Sequence, residues 1–432
     1  MPSALREPIY VVDGARTPFL KAKSAPGPFS ASDLAVAAGR AVLARVPVAA
    51  TDLDEVILGC ANPSPDEVNI GRYVAMRLGC GDRVTGWTVM RNCASGMQAL
   101  DSAVNNMLAG RSELVLAGGV DALSRAPLLY NEKMVLWFAA LAGAKSTGQK
   151  LATFARLSPT ALLSPIIALM KGLTDPKVGL LMGQTAENLA FRFGITRSDM
   201  DAFAAESHRR VLAAQADGHF SAELTPLIDP RGTVYDHDDG ARSDSTPERL
   251  ARLKPFFDKK YGNVTAGNSS QITDGGVFLL LATERAVARH GLPVIGKIVD
   301  TQWAGCDPAQ MGLGPVYAAT PMLERNALGL ADLDCVEINE AFAAQVLACI
   351  AAWKDATFCR DELGLDAPLG AIDSNRLNVD GGAVALGHPV GASGARIVLH
   401  ALEHLRRTGG KRALAAICIG GGQGGAMLLE AA

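Results

Sequence analysis

Cys93 stands where a strand-like run, residues 88–90, meets a helix-like run that opens on Ala94-Ser95-Gly96. These small residues permit a tight strand-to-helix turn. A thiol at a helix N-terminus feels the positive end of the peptide dipoles, which favours its thiolate. Cys93 is therefore a candidate nucleophile; the other reading is a buried, inert free cysteine. A thiol at neutral pH also needs a base. His388, between Gly387 and Pro389, is the best framed of the 7 histidines. Pro389 restricts it to extended backbone, which fixes the direction of the imidazole. His400 and His404 share a helical face with no further ligand beside them, so they are expected to face solvent.

Two further clusters could join them. Cys418 precedes the run Gly420-Gly421-Gly422-Gln423-Gly424-Gly425. Its Gly420-x-Gly422-x-x-Gly425 spacing matches the dinucleotide-binding pattern, but the short remainder reads as a strand and no crossover helix follows. A glycine-rich loop instead exposes backbone N–H groups that can hold an oxyanion. Cys418 at its mouth could carry protons, or it could be a buried cysteine before a plain turn. Asn339, in Glu337-Ile338-Asn339-Glu340, either holds a water or an oxyanion or caps a helix. No G-x-S-x-G elbow and no H-E-x-x-H occurs.

The elements that must carry these groups alternate. Residues 9–12, 55–58, 114–117 and 335–338 read as strands, and 32–46, 185–193 and 199–217 as helices. Such alternation predicts an α/β protein with its sheet covered on both faces. A weak repeat is visible. Cys93-Ala-Ser-Gly96 leads through a helix to a strand and Gly118-Gly119; Gly391-Ala-Ser-Gly394 leads likewise to Gly420-Gly421. Residues 131–171 differ in character, with five basic side chains, one acid and many apolar residues. They read either as a helical lid with solvated lysines or as a basic amphipathic element for an anionic ligand, a partner or a membrane surface. The acidic stretch 233–245 reads as a solvated loop, because its spacing matches no EF-hand.

Composition excludes several classes. The 432 residues are 49% hydrophobic with a net charge of −3, enough for a sizeable core and too weakly charged to coat nucleic acid. Eight cysteines without a CxxC pair fit free thiols in a reducing cytoplasm and offer no zinc pattern. No apolar run is long enough to span a membrane, and residues 1–12 give no secretory leader.

Taken together, the segments resemble the thiolase family. The blocks are Asn92-Cys93-Ala-Ser-Gly-Met, Asn339-Glu-Ala-Phe-Ala-Ala-Gln, Gly381-Gly-Ala-Val-Ala-Leu-Gly-His388-Pro-Val-Gly-Ala-Ser-Gly and Cys418-Ile-Gly420-Gly-Gly, in family order. Similar stretches begin at Asp13, Met182, Val264 and Met311, so the resemblance spans the chain. It implies two similar halves packed in five layers, α-β-α-β-α. Residues 1–125 with 245–298 would form the N-terminal half, 126–244 an inserted loop domain, and 299–432 the C-terminal half.

The resemblance further implies acyl transfer between coenzyme A thioesters: cleavage of a 3-oxoacyl-CoA by CoA, or acetoacetyl-CoA chemistry. Cys93 would take the acyl group, His388 its proton, and Cys418 would serve as second acid/base. Asn339 would hold a water for one oxyanion hole, with the N–H groups of Cys93 and Gly420 forming the other. Ser270, Ala266 and Phe257 match positions along the coenzyme A arm; Phe342 and Met182 line the site. No bound cofactor or metal is implied, and coenzyme A is a substrate. The family suggests a cytoplasmic homodimer or homotetramer, and the loop segment looks like that of thiolase subunits partnered by a hydratase/dehydrogenase. Leu181 departs from some short-chain relatives, which carry histidine there, and Asn339 from complex subunits that often carry histidine. A ketosynthase-like enzyme would lack Cys418; a lipid-binding scaffold would not need the intact set.

Overall fold

The computed structural model describes residues 7–432. Residues 1–6, where part of the leader reading falls, lie outside it. The elements that position the site are, in chain order, β1 (Ile9–Arg16), α1 (Ala31–Arg45), β2 (Glu55–Gly59), β3 (Thr85–Val89), α2 (Ser95–Leu108) and β4 (Leu114–Ala122). The segment between β4 and the next long strand holds α3 (Glu132–Gly143), α4 (Thr147–Phe154), α5 (Met182–Arg192) and α6 (Arg197–Ala216). Then follow β5 (Thr273–Ala282), β6 (Gly296–Gly305), α7 (Gly314–Arg325), β7 (Cys335–Ile338), α8 (Ala343–Lys354), α9 (Val390–Thr408), β8 (Arg412–Ile419) and β9 (Gln423–Ala431).

The strands run in the order β3-β2-β4-β5-β1-β6-β9-β8-β7. From the outer edge inward, each half repeats one pattern. β3, β2 and β4 are parallel neighbours, and β5 and β1 follow antiparallel. A bridge from Leu377 to Val336, then β7 and β8, are likewise parallel, and β9 and β6 follow antiparallel. The halves join where Ile9, Tyr10 and Val11 pair with Ile298, Lys297 and Gly296.

Both sheet faces are buried, so the strands read as continuous apolar runs whose alternate residues serve different layers. In β5, Val277, Leu279 and Leu281 face the middle of the molecule, while Phe278 and Leu280 meet Leu34, Ala38 and Val42 of α1. In β8, Ala415 and Ile417 face the middle, and Leu414 and Ala416 meet Val316 and Leu323 of α7. Helices α2 and α9 fill the central layer, contributing Met97, Leu100, Ile397 and Leu402. The result is the expected five-layer α-β-α-β-α fold.

Glycines set the closeness of α2 and α9. A Cβ on Gly96 would lie 2.7 Å from the Gly391 carbonyl, and one on Gly394 would lie 2.8 Å from the Met97 backbone nitrogen. These reciprocal contacts match Cys93-Ala-Ser-Gly96 with Gly391-Ala-Ser-Gly394, as the repeat predicts. The strand part of the repeat is out of register. Leu114 pairs with Ala282 and Arg412 with Glu430, while Ala282 also faces Tyr10 and Glu430 faces Lys297. Leu114 thus corresponds to Arg412, and Gly118-Gly119 to Ala416-Ile417 rather than to Gly420-Gly421. The two glycine pairs do different work: Gly119 lets α9 approach, since its Cβ would meet the Gly391 carbonyl at 1.9 Å, whereas Gly421 (φ +93°) and Gly422 (φ +77°) make a left-handed turn.

Candidate active site

Between β3 and α2 the chain turns within five residues. Asn92 takes the left-handed region (φ +43°), where asparagine is among the better-tolerated residues. The Ser95 hydroxyl accepts from the Arg91 N–H at 2.9 Å and donates to the Asn92 carbonyl at 2.7 Å, closing the turn. Cys93 sits inside it, partly buried. Burial is the largest influence on its thiol and pushes it above the ordinary range, although the N–H groups of Gly420 and of Cys93 itself point at the sulfur and oppose the rise. The expected helix-end activation therefore does not dominate: desolvation wins, and the thiol needs a base to leave its proton with.

His388 is the candidate base. His388 is buried, and its N–H donates to the Gln271 carbonyl at 2.9 Å. Its Nδ1 lies 2.6 Å from the Ser393 hydroxyl oxygen, and that hydroxyl donates to the Pro389 carbonyl at 3.1 Å. Ser393 has one hydrogen to give, so the consistent tautomer places the ring proton on Nδ1 and leaves a lone pair on Nε2. Nε2 has no partner among the described residues. Burial, then the Arg396 charge, lower the imidazole to about 4, so it rests neutral and ready to accept.

Cys418, next to the last residue of β8, is wholly buried. Burial first, then neighbouring thiols including Cys93, push it well above the ordinary thiol range. It keeps its proton at rest, as an acid should. Gly420 follows; its carbonyl accepts from the Asn92 amide at 2.8 Å, which ties the glycine loop to the Cys93 turn. Asn339 lies just after β7, fully buried, and neither atom of its amide has a partner among the described residues. An unpaired buried amide is costly and calls for a bound group. The helix-cap reading does not apply, because α8 begins later, after Phe342.

The arm residues cluster beside this centre. Phe342 and Cys418 share one apolar cluster with partly buried Met182 and Phe257. The Phe257 ring meets Phe342 edge-on at 5.9 Å, and Met182 Sδ lies 3.0 Å from where a Gly420 Cβ would be. Ser270 donates its N–H to the Ala341 carbonyl at 3.0 Å, stitching its strip to the start of α8; Ala266 is exposed on that strip.

Sequence reasoning missed Asn92, Ser393 and Gln271, although two of them adjoin or closely follow residues it singled out. It also misplaced two polar groups. His400 does not face solvent: it is fully buried, with Glu223 at 3.0 Å and Asp380 at 3.2 Å. Asp238, read as part of a solvated loop, is buried against Arg16 at 2.7 Å. Helices α3 and α4 pack on each other through Trp137 and Phe154 while Leu136, Leu151 and the neighbouring lysines stay exposed. Among the described residues no group of three His, Cys, Asp or Glu could hold a metal, and no helix is long and apolar enough to cross a membrane.

Comparison with known proteins agrees in length and shape. The thiolase N-terminal domain model matches residues 9–285 and the thiolase C-terminal domain model residues 292–431. The chain is 40% identical to the beta-ketoadipyl-CoA thiolase of Pseudomonas knackmussii, covering 98% of each. It is 35% identical to a 3-ketoacyl-CoA thiolase of Yersinia pestis over 98% of this chain and 96% of that one. Human mitochondrial 3-ketoacyl-CoA thiolase in complex with CoA superposes with a TM-score of 0.85 at 35% identity, covering 100% of this chain and 99% of that one. The Bacillus anthracis acetyl-CoA acetyltransferase gives 0.84 at 35% identity, covering 100% of both. With matches to both halves of the family and a shared fold throughout, this chain belongs to the thiolase family.

Proposed function

We propose that this thiolase cleaves 3-oxoacyl-CoA with coenzyme A, giving acetyl-CoA and a shortened acyl-CoA. The single observation that carries the reading is the pairing of two thiols that face different donors. Cys93 faces two N–H groups, and Cys418 faces none but its own. The Cys93 proton passes to His388 Nε2, and the thiolate attacks the C3 carbonyl. The oxyanion rests on the N–H groups of Cys93 and Gly420, worth about 2.7–4 kcal/mol per donor. Collapse breaks the C2–C3 bond; the departing enolate takes its proton from Cys418, while His388 and a water held by Asn339 stabilise its oxygen. Coenzyme A then gives its thiol proton to Cys418 and attacks the acyl-Cys93 thioester. Release of acyl-CoA leaves the Cys93 thiolate, which recovers its proton from His388. Ser270, Ala266, Phe257, Phe342 and Met182 border the path of the substrate arm.

A second reading, acetoacetyl-CoA thiolase, draws support from the likeness to the bacterial acetyl-CoA acetyltransferase. Leu181 opposes it. The test compares CoA-dependent cleavage of acetoacetyl-CoA, 3-oxoadipyl-CoA and 3-oxopalmitoyl-CoA, with Cys93→Ala as the blank. Preference for the longest substrate supports the first reading, and activity confined to acetoacetyl-CoA replaces it with the second. We also assign the enzyme to the cytoplasm as a homodimer or homotetramer. The outer edge of β3 is unpaired in the sheet order, and Met90 beside it is 57% exposed. The exposed apolar and basic side chains of α3 and α4 suit a hydratase/dehydrogenase partner subunit.

A further inference from the structure

The helix that follows His388 has no cap of its own. Pro389 precedes α9 and offers no side-chain acceptor, and the first N–H groups of a helix have no partner within it. The acceptor comes from the other half of the molecule. Asp121, next to the last residue of β4, is fully buried. Its Oδ2 accepts from the Gly391 N–H at 2.5 Å; its Oδ1 accepts from the Asn62 N–H at 2.9 Å and from the Cys60 thiol at 3.3 Å. The contact has no slack. A Cβ on Gly391 would lie 2.6 Å from the Val120 carbonyl, and one on Gly119 would lie 1.9 Å from the Gly391 carbonyl. Ser393, two residues further along α9, holds the His388 ring.

We propose that Asp121 is a positioning residue for the thiolase reaction: its ionised carboxylate anchors the start of α9 and, through Ser393, aims His388 at the nucleophile turn. The inference rests on the activity proposed above. Burial pushes the Asp121 carboxyl up to about 6, against the donors of Asn62, Gly391, Cys60 and Ala61, so it titrates within a workable pH range. The titratable groups facing it are the Cys60 thiol, from the end of β2, and the Cys93 thiol, whose own shift registers the Asp121 charge. From α9 it meets the Gly391 backbone, and the nearest titratable group ahead of that helix in the chain is His388. A protonated carboxyl holds its N–H donors less strongly, so the anchor weakens as pH falls through about 6. His388 stays neutral down to about 4, which keeps the two events apart.

The experiment measures kcat and KM against pH for the full-length wild type, Asp121→Asn, Asp121→Glu and Cys60→Ala. The wild type should lose kcat below pH about 6. Asp121→Asn should lower kcat by about 10- to 100-fold with KM for coenzyme A little changed, since misplacing a reacting group by about 1 Å costs on that order. It should also lose the limb near 6, keeping only the decline towards 4. Asp121→Glu should restore part of kcat together with an acid limb. Cys60→Ala, lacking one donor, should move the limb to higher pH. A folded Asp121→Asn with kcat and pH profile unchanged overturns the proposal. If that variant does not fold, a Cys60→Ala profile superposing on the wild type overturns it instead. A wild type without thiolase activity removes both the reaction and this role; an active wild type with an unmoved profile removes the role alone.

Discussion

In the proposed reaction Cys93 must lose its proton and Cys418 must keep it, and the difference lies in what each sulfur faces. Cys93 has the Gly420 N–H for company, whereas Cys418 has burial and other thiols. Cys418→Ala should therefore leave Cys93 open to acylation by acyl-CoA, seen as a mass increment, while turnover falls by about 10²–10⁴-fold, the usual range for a lost acid/base. Loss of acylation as well would show that the coenzyme A thiolate cannot leave without the Cys418 proton. Asn92→Ala should cost about 1–3 kcal/mol in chemical denaturation, because alanine fits the left-handed turn poorly and the tie to Gly420 is lost. Cys93, His388 and Cys418 stand out in the sequence as candidates because each carries a local signature: a small-residue turn, a proline behind the ring, a glycine loop. Asn92 does not, since its function appears only when Gly420, 328 residues away, closes on it.

Among the elements, α9 carries the largest surprise and the sharpest pH test. Because most of it lies between two sheet layers, polar residues such as Ser393, Arg396, His400 and Glu403 are inside, and a face that reads as amphipathic is no guide to solvent. His400 of α9 is gripped by Glu223 and Asp380, and Glu223 also binds Arg16 of β1 at 2.6 Å. Burial alone would lower His400, yet the two carboxylates raise it to about 10; burial alone would raise Glu223, yet Arg16 and His400 bring it to about 2. The raised histidine stabilises the fold fully below its unfolded value of about 6.5, and that contribution is lost as pH rises through about 10. The depressed glutamate stabilises above about 4.5, and its contribution is lost as pH falls towards 2. Melting temperatures of His400→Gln should thus lie below the wild type near neutrality and converge with it towards pH 10. A constant gap across that span would exclude the histidine charge as the cause. Arg16→Ala leaves Asp238 buried without its cation and Glu223 with His400 alone, and should cost about 3–5 kcal/mol. The pairing was invisible in sequence because Arg16 and Asp238 lie 222 residues apart.

For the whole molecule, alternation gave a sheet covered on both faces, the five layers came from the family resemblance alone, and the helix part of the repeat was legible too. Its strand register was not, because glycine serves close approach in one half and a turn in the other. The unpaired edge of β3 makes a prediction at this scale. Light scattering should give a dimer mass or twice that, and Thr88→Pro, placed on the edge strand, should shift it towards monomer. A monomeric wild type would exclude the proposed assembly.

The matched registers also say why there is one reactive centre and not two. Under the two-fold relation of the halves, Gly391 stands where Cys93 stands, Val120 where Cys418 stands, and Met90 where His388 stands. The mirror seat is physically shut: any side chain at Gly391 would run into the Val120 carbonyl and the Asp121 carboxylate. Symmetry here supplies the architecture twice and the reactivity once, so a cysteine grafted at Gly391 would jam the hinge of the working site before it could become a second one.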